Sequence, residues 1–291
     1  MAKTVLIRNP KSGRGKWASR WSTLLPQLGE LEVWETQAPG HATELAQKAA
    51  AAEKELVIAA GGDGTVSQVA NGLIGTQTTL AVLPMGTGND LARTLGIGSS
   101  IEKAIAAIRE NKTTPMDAGH WRTDQTEGYF VNIAGMGFDA AVADRINKGF
   151  KSLKGTMAYL AAVISTLRTY KATDLRITVD GQVMQESIML AAIANAQCYG
   201  GGMMVAPMAS ISDGLLDIVL VKDLSKFAFL RAFPSVFKGG HMGHPAVEHY
   251  RAKSIRLEPR GPSPFLIDGE LAPCQWAEIK VVPNALRVVV P

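Results

Sequence analysis

The sequence predicts an α/β protein in which a parallel sheet covered by helices precedes a second, mostly antiparallel domain. Over residues 1–115, short apolar runs of strand length alternate with segments of helical periodicity. From residue 116, glycines and apolar runs with a period of two dominate. The first pattern favours a parallel sheet and the second favours antiparallel strands. We expect an N-terminal domain at 1–118 and a second domain at 119–283, with 284–291 returning to either domain.

The N-terminal elements follow from apolar spacing. The predicted strands are β-branched apolar runs at 5–8, 31–36, 56–60 and 80–83. The predicted helices carry apolar residues three and four positions apart, and they begin near Trp17, Ala42, Val66, Leu91 and Ile101. Ligands of such folds bind beyond the carboxyl ends of the strands. The glycine-rich loops of this domain all lie at that end.

The second domain is predicted from period-two runs and turn residues. Asp180-Gly181 joins two of these runs as a hairpin turn. The predicted strands are 129–133, 175–179, 182–186, 189–194, 216–221, 254–258, 265–267, 278–282 and 286–290. Two helical segments interrupt them, at about 139–169 and at 225–237 with a kink at Pro234.

Composition excludes several classes of protein. The chain has 291 residues, 46% of them hydrophobic, and a net charge of +4, which does not imply nucleic acid as a partner. Its two cysteines form no disulfide framework, and the N-terminus is not a signal peptide. No apolar stretch approaches the roughly 18–20 residues of a membrane span. We therefore expect a cytoplasmic protein that reaches any lipid from the membrane surface.

Two glycine-rich acidic turns carry the strongest chemical signal. The residues 61–65 read Gly-Gly-Asp-Gly-Thr after one predicted strand, and Gly86-Thr87-Gly88-Asn89-Asp90 follows the next strand. Such turns present backbone N–H groups and a helix N-terminus to phosphate. Asp63 and Asp90 would repel a bare phosphate, but they suit one that arrives with Mg²⁺. Phosphoryl transfer is therefore the first hypothesis.

Three further segments are ambiguous by pattern alone. The loop at 9–15 holds Lys11 and Arg14 beside glycines, although it is not a Walker A loop. The Asp268-Gly269-Glu270 turn offers Glu270 as a base for a substrate hydroxyl, or it is a plain surface hairpin turn. The glycine-dense stretch 195–217 is either a loop near the site with a cation-binding turn or a flexible hairpin.

Other clusters have structural as well as functional interpretations. The aromatic face within 225–237 is either core or an acyl-chain wall or membrane-contacting face. The basic residues Lys148, Lys151, Lys154, Arg168 and Lys171 form either a solvated face or a contact for anionic lipid. The histidines His241, His244 and His249 match no zinc signature.

Together these motifs resemble the diacylglycerol kinase catalytic family, specifically its soluble bacterial lipid kinases. The resemblance runs nearly end to end, through NPKSG at 9–13, ETQAPGHA at 35–42, GGDGT at 61–65 and PMGTGND at 84–90, then NIAGMGFDA at 132–140, YGGGMMVAP at 199–207, DGLLD at 213–217 and DGE at 268–270. It implies an N-terminal domain similar to NAD kinases and phosphofructokinases, with a Rossmann-like parallel sheet. It also implies a C-terminal β-sandwich and an active site in the interdomain cleft.

The resemblance also implies roles for individual residues. Glu270 is implied as the general base with Asp268 close by, and Asp63 and Asp90 as the acidic residues near the metal. The implied ATP contacts are Asn9, Pro10, Lys11, Ser12, Gly13, Thr36, Gly62, Asp63, Gly64, Thr65, Val66, Ser67, Gln68 and Thr87. A structural Mg²⁺ site is implied at Ser210, Asp213 and Leu215, two of them acting through backbone carbonyls.

The resemblance implies an ATP- and Mg²⁺-dependent kinase that phosphorylates a lipid hydroxyl at a membrane surface, with diacylglycerol as the first choice. The family pattern continues GGDGT-x-Asn-Glu, whereas this chain has Ser67 and Gln68, which leaves the contact at Gln68 open. Alternatives are a kinase for a sphingoid base, another glycerolipid or NAD, and a nucleotide- or membrane-binding regulator without catalysis. A homodimer is also an open expectation.

Overall fold

The computed structural model describes residues 2–15, 17–149 and 156–291. Its N-terminal half is a parallel sheet flanked by helices, as predicted. The strands are β1 (Thr4–Arg8), β2 (Glu32–Glu35), β3 (Leu56–Gly61) and β4 (Thr79–Pro84). They pair in parallel in the order β4-β3-β1-β2. The helices are α1 (Trp21–Leu24), α2 (His41–Ala51), α3 (Asp63–Leu73), α4 (Asp90–Thr94) and α5 (Ile101–Glu110).

The prediction of one continuous helix from Trp17 to Leu28 was wrong. Short 3₁₀ segments at Ala18–Arg20 and Leu25–Leu28 flank the single turn of α1. Pro26 lies in the last of these segments, where its missing N–H group prevents an α-helix from continuing. Trp17 instead donates a hydrogen bond from Nε1 to the carbonyl of Met85, 3.1 Å away, which fixes this segment beside the second glycine-rich turn.

The C-terminal half is a mostly antiparallel β structure, as predicted. Its strands are β5 (Thr113–Thr123), β6 (Glu127–Phe130), β7 (Ile133–Gly137), β8 (Thr173–Val179), β9 (Gln182–Ala194), β10 (Leu216–Lys222), β11 (Val247–Ala252), β12 (Ser254–Pro259), β13 (Ser263–Ile267), β14 (Glu270–Cys274) and β15 (Ala277–Val289). Its helices are α6 (Phe138–Gly149), α7 (Thr156–Thr169) and α8 (Lys226–Ala232), the last followed by a 3₁₀ segment at Phe233–Lys238.

Several strand boundaries differ from prediction for identifiable reasons. The sequence pattern missed β5 because Pro115, Asp117 and Gly119 disrupt its alternation. The predicted strand at 129–133 is divided between β6 and β7. The two strands predicted over 182–194 are one, β9, and the two over 278–290 are also one, β15.

The strand β15 connects the two halves of the molecule. Its early residues pair with β12, and its late residues Arg287 and Val288 pair in parallel with Thr79 and Leu80 of β4. The register of its pairing with β5 shifts between Val282 and Leu286, and β15 pairs with strands of both halves within one continuous sheet. Separate hydrophobic clusters lie in the two halves. The division at 118 and 283 itself stays a prediction.

None of the helices among the described residues is long and apolar enough to cross a membrane. The helical region predicted at 139–169 contains α6 and α7, while Lys151 and Lys154 of the predicted basic cluster lie outside the described residues. Lys148 of that cluster is exposed and forms an ion pair with Asp144, one turn earlier on α6.

Candidate active site

A cleft of about 870 Å³ lies at the carboxyl ends of β1 and β3, and we call it the donor cleft. The N-terminus of α3 faces it, so the backbone N–H groups of its first turn point at any bound anion. Many of the residues expected to contact nucleotide line this cleft. They are Asn9, Lys11, Ser12, Thr36, Gly62, Asp63, Gly64, Thr65 and Gln68.

The other expected nucleotide contacts lie elsewhere. Val66 is only 4% exposed and packs in the N-terminal core, and Ser67 turns toward Asp268. Thr87 is exposed in a neighbouring cleft. Neither Pro10 nor Gly13 lines the donor cleft, and Gly13 adopts a positive φ of 58° against Trp17.

Asn9 organises the first loop of the donor cleft. Its Oδ1 accepts a hydrogen bond from the backbone N–H of Lys11, and its Nδ2 donates to Oγ1 of Thr65 over 3.3 Å. The loop after β1 is therefore tied to the first turn of α3. This contact explains how an asparagine at the strand end helps to shape the loop at the donor cleft.

The carboxylate of Asp63 joins the two glycine-rich turns. It accepts hydrogen bonds from the backbone N–H groups of Asn89 at 2.9 Å and Asp90 at 2.6 Å. These are the N-terminal groups of α4, which favour a negative charge. Each carboxylate oxygen keeps lone pairs for a further partner. Asp63 thus positions the second turn and still faces the donor cleft.

Asp90 connects the N-terminal half to the glycine-dense stretch of the second half. It is buried, and its two oxygens accept hydrogen bonds from the backbone N–H groups of Gly201 at 3.0 Å and Gly202 at 2.7 Å. Burial raises the pKa of Asp90, and the nearby charge of Asp63 raises it further. The geometry indicates a residue that holds the halves together at the site.

Asp268 acts as a second clamp between the halves. Its carboxylate accepts hydrogen bonds from Oγ of Ser67 at 2.8 Å and from three successive backbone N–H groups, those of Val131, Asn132 and Ile133 at 3.0–3.1 Å. Burial raises the pKa of this carboxyl. Ser67 therefore ties α3 to the turn that precedes Glu270.

Glu270 is exposed at the start of β14, directly after the Asp268-Gly269 turn. It borders a cleft of about 1100 Å³ that it shares with Gly64, Ser67 and Gln68 of α3. The hairpin from β13 to β14 thus brings Glu270 to the same helix that faces the donor cleft. Gln68 lines both clefts, and its Oε1 accepts a hydrogen bond from the backbone N–H of Gly40 at 3.2 Å.

A central cleft lies between the two halves, with a volume of about 1440 Å³. Asp63, Thr87 and Asp90 line it from the N-terminal half, while Asp139 and Asp268 line it from the second half. Asp63 lines both the donor cleft and this central cleft. The two glycine-rich turns predicted from sequence are therefore brought to one place with second-domain carboxyl groups.

The cation site expected at Ser210, Asp213 and Leu215 stays a prediction. The carboxylate of Asp213 forms an ion pair with Arg251 and accepts a hydrogen bond from the backbone N–H of Leu215. Within the described part of the chain, no group of three or more His, Cys, Asp or Glu residues could hold a metal ion. A cation at this turn would have to draw on backbone carbonyls and displace Arg251.

Sequence reasoning overlooked two buried carboxyl groups. Asp117 accepts hydrogen bonds from the backbone N–H groups of Gly214 at 2.7 Å and Asn284 at 2.8 Å, so it joins β5 to two distant turns. Asp139 lies at the start of α6, and burial raises its pKa to about 6. The sequence signal that could have identified Asp139 was the presence of an acidic residue inside the otherwise apolar motif GMGFDA.

The aromatic segment has two kinds of surface. Phe229, Phe233 and Val236 face inward and line an apolar cavity, whereas Phe227 is 76% exposed. The nearby histidines make structural hydrogen bonds, with Nε2 of His249 at 2.6 Å from Oδ1 of Asp217. The inner face therefore forms the wall of a cavity.

Comparison with known proteins agrees with this geometry. The model of the diacylglycerol kinase catalytic domain matches residues 3–121, and that of the YegS C-terminal NAD kinase beta sandwich-like domain matches residues 132–290. A diacylglycerol kinase from Mycobacterium tuberculosis H37Rv is 34% identical over 100% of this chain and 96% of its own length. One from Bacillus subtilis 168 is 31% identical over 100% and 97%. A crystal structure of a diacylglycerol kinase from Bacillus anthracis Sterne superposes with a TM-score of 0.75, at 25% identity, over 99% of this chain and 96% of that one.

Proposed function

The chain belongs to the diacylglycerol kinase family of lipid kinases, which transfer a phosphoryl group to an alcohol acceptor, and from this premise we propose that it converts diacylglycerol and ATP to phosphatidic acid and ADP. In this proposal residues 1–118 bind the nucleotide, and residues 119–283 bind a lipid taken from a membrane surface. The observation that carries it is the Asp268 clamp, since it holds the Glu270 hairpin against α3, whose N-terminus faces the donor cleft.

The donor cleft supplies positive potential for the triphosphate. Backbone N–H groups of Gly64 and Thr65 lie at the start of α3, where the helix dipole favours anions. Lys11 in the adjacent loop adds a positive charge to the cleft. These groups would stabilise charge on the phosphate oxygens during transfer, which is the main protein contribution in phosphoryl transfer.

The carboxylate of Asp63 fits a Mg²⁺ ion that arrives with ATP. Mg²⁺ in kinases is commonly held by one or two carboxylates together with substrate phosphates. Asp63 faces the donor cleft and keeps lone pairs for a metal, whereas Asp90 does not line that cleft and borders the central cleft. When bound, the ion would supply charge neutralisation between the phosphate groups.

Glu270 is proposed as the base that accepts the proton of the lipid hydroxyl. Its carboxylate lies at the rim of the cleft that α3 shares with the β13–β14 hairpin. Asp268, in contrast, is saturated by four hydrogen bonds, so we assign it to positioning the turn rather than to proton transfer. The two acidic residues of this motif therefore have different roles.

The test is turnover of a Glu270→Gln variant with radiolabelled ATP and dioleoylglycerol in mixed micelles. We expect turnover to fall by roughly a hundredfold or more, the usual contribution of a general base, while ATP binding measured by calorimetry stays unchanged. Glu110→Gln, an exposed site at the end of α5, is the matched control. Full activity of Glu270→Gln would remove Glu270 as the base.

A substrate panel separates the remaining acceptors. Wild-type enzyme would be offered dioleoylglycerol, a monoacylglycerol, a sphingoid base and NAD under the same conditions. Labelled phosphatidic acid as the main product supports the proposal. Preferential labelling of another acceptor would redefine the substrate, and ATP binding without any labelled product would favour the non-catalytic regulator.

A further inference from the structure

The helix α6 separates the central cleft from a second recess, which we call the cationic groove. One face of α6 lines the central cleft with Val142, Ala143 and Ile146. The opposite face lines the groove, and its residues are Ala141, Asp144, Arg145 and Lys148. The other wall comes from the end of α7, the residues after it and β13, with Thr166, Thr169, Tyr170, Lys171 and Pro264. The groove offers about 650 Å³, within the roughly 300–1,000 Å³ of small-molecule sites.

Arg145 is held in the cationic groove by neutral partners. Its Nη1 donates to the carbonyl of Ser165 at 3.2 Å and to Oγ of the same residue at 2.7 Å, and its Nη2 donates to Oγ1 of Thr169 at 3.1 Å. These bonds fix the guanidinium, leave some of its N–H donors unused and do not neutralise its charge. A planar guanidinium held in this way is suited to binding a phosphate group through two parallel hydrogen bonds.

The cationic groove carries an excess of positive charge. Lys148 forms an ion pair with Asp144 at 2.8 Å, so those two charges offset each other. Lys171 lines the other wall, and neither it nor Arg145 has a carboxylate partner in the part of the chain that the structure describes. The carbonyl end of α7 carries a partial negative charge, which the bond from Arg145 to one of its carbonyls partly offsets. An anion is therefore the favoured ligand.

A buried hydroxyl in the wall of the groove lacks a hydrogen-bond partner. Thr166 lines the groove and is only 2% exposed, yet its Oγ1 bonds to no atom of the described residues. Most buried polar side chains have a partner, and an unpaired one costs free energy. An oxygen atom of a ligand in the groove would supply the missing acceptor. Two cations and a hydroxyl together form a donor set that suits a phosphate group.

Exposed apolar side chains beside the groove favour a phosphate that belongs to a lipid. Ile164 on α7 is 44% exposed, and Phe227 and Leu230 on α8 are 76% and 46% exposed. Lys226, next to Phe227, donates a hydrogen bond to the carbonyl of Arg168, which fixes α8 against the end of α7 that forms the groove. Apolar side chains flanked by cations are typical of segments that lie in a membrane interface. A free phosphate ion would give these apolar side chains no contact.

We propose that the cationic groove binds the phosphate group of an anionic phospholipid in the membrane, with Arg145 and Lys171 as the charged contacts and Thr166 as a hydroxyl donor. The bound phospholipid is a neighbour of the acceptor lipid and not the substrate. Because the central cleft lies on the opposite face of α6, this contact would hold the cleft at the bilayer surface while the acceptor enters. The groove takes no part in phosphoryl transfer.

The charged contacts are tested by sedimentation with vesicles of phosphatidylcholine, alone and mixed with phosphatidylglycerol. We expect Arg145→Gln and Lys171→Gln each to weaken binding to the anionic vesicles about fivefold, the contribution of one basic residue near such a surface. Lys103→Gln is the matched control, since Lys103 is an exposed lysine of α5 outside the groove, and it should bind as wild type does. Lys171 makes no described side-chain contact, so its variant keeps the test valid if Arg145→Gln fails to fold. Equal binding by Lys171→Gln and wild type would overturn the assignment.

Thr166→Val separates ligand binding from a structural role. Its hydroxyl has no partner in the described structure, so a purely structural threonine predicts unchanged vesicle binding and an unchanged or higher melting temperature. The proposed contact predicts about fivefold weaker binding to the anionic vesicles, the value of one hydrogen bond, without a lower melting temperature. Unchanged binding would overturn the contact with the hydroxyl.

Competition by inorganic phosphate distinguishes the two sources of the phosphate group. At constant ionic strength, replacing chloride by phosphate should leave vesicle binding within about twofold, and full displacement would overturn the lipid assignment in favour of a free phosphate ion. Vesicle binding needs neither ATP nor diacylglycerol. Binding that depends on Lys171 in a protein that phosphorylates no lipid would therefore refute the proposed function and leave the groove assignment intact.

Discussion

Replacing Asp139 by asparagine removes a carboxyl group whose ionisation is opposed by its surroundings. Burial raises the pKa of Asp139 from its ordinary 3.8 to about 6, against the opposing hydrogen bonds from Ala140 and Tyr199. The folded protein therefore binds this proton more tightly than the unfolded chain does. The resulting stability is fully present below pH 3.8 and is lost as the pH rises through 6. A pKa difference of about two corresponds to about 3 kcal/mol.

Asparagine has the same shape as aspartate but no charge, so the Asp139→Asn variant should not lose this stability as the pH rises. We expect its free energy of unfolding, relative to wild type, to rise between pH 5 and pH 8 by about 1.4 kcal/mol, since the rest of the 3 kcal/mol is already lost below pH 5. The assay is urea denaturation followed by circular dichroism, with both proteins measured at each pH. Titratable groups near Asp139 are present in both proteins, and they are Asp63, Asp90, Asp268, Tyr170, Tyr199, His241 and His244. Burial and the charge of Asp139 raise the pKa of Tyr170 above its ordinary value of 10, so this coupled group does not titrate between pH 5 and pH 8. A difference that does not vary with pH would refute the reasoning.

Three further predictions concern the clamps around the site. Asp268→Asn should lower the free energy of unfolding by about 3–5 kcal/mol, because its amide NH₂ group faces two of the four hydrogen-bond donors and leaves both without an acceptor. A loss under about 1 kcal/mol in urea denaturation would contradict the clamp. Gly88→Ala places a Cβ atom 2.5 Å from Oδ2 of Asp63, so the KM for ATP should rise about tenfold. Gly243→Ala is the control, since no heavy atom lies within 4 Å of its Cβ position, and it should leave the KM for ATP unchanged. Asp90→Ala should speed amide exchange at Gly201 and Gly202 about tenfold by mass spectrometry, and unchanged protection would show that other contacts hold this turn.

Much of the fold could be predicted from local patterns. The alternation of apolar runs and helical spacing predicted β1 to β4 and the helices between them because those elements obey a regular period. The pattern missed β5 because Pro115 and Gly119 are residues typical of loops. Pairing with β15, far along the chain, stabilises this strand. The pattern also missed the break at Pro26, since an apolar face continued past the proline.

The sequence likewise predicted one part of the candidate site and missed another. The sequence predicted that the loops after β1, β3 and β4 would meet at one edge, and most residues expected around ATP do line the donor cleft. Helical spacing placed Val66 on the apolar face of α3, where it packs in the core, although the resemblance counted it among the ATP contacts together with Gln68, which faces the cleft. Local spacing could not show that Ser67 points to Asp268, a partner 201 residues away in the chain.

By itself the sequence determined which elements form and which edge of the sheet carries glycine-rich loops, because these depend on residue type and spacing along a short segment. Only the tertiary structure decided what each acidic residue does. Asp90 and Asp268 accept hydrogen bonds from backbone N–H groups more than 100 residues distant, whereas Glu270 is exposed and Asp139 borders an apolar cavity. The charge and reactivity of a carboxyl group depend on its burial and its donors, and the folded chain brings those together from segments far apart in sequence.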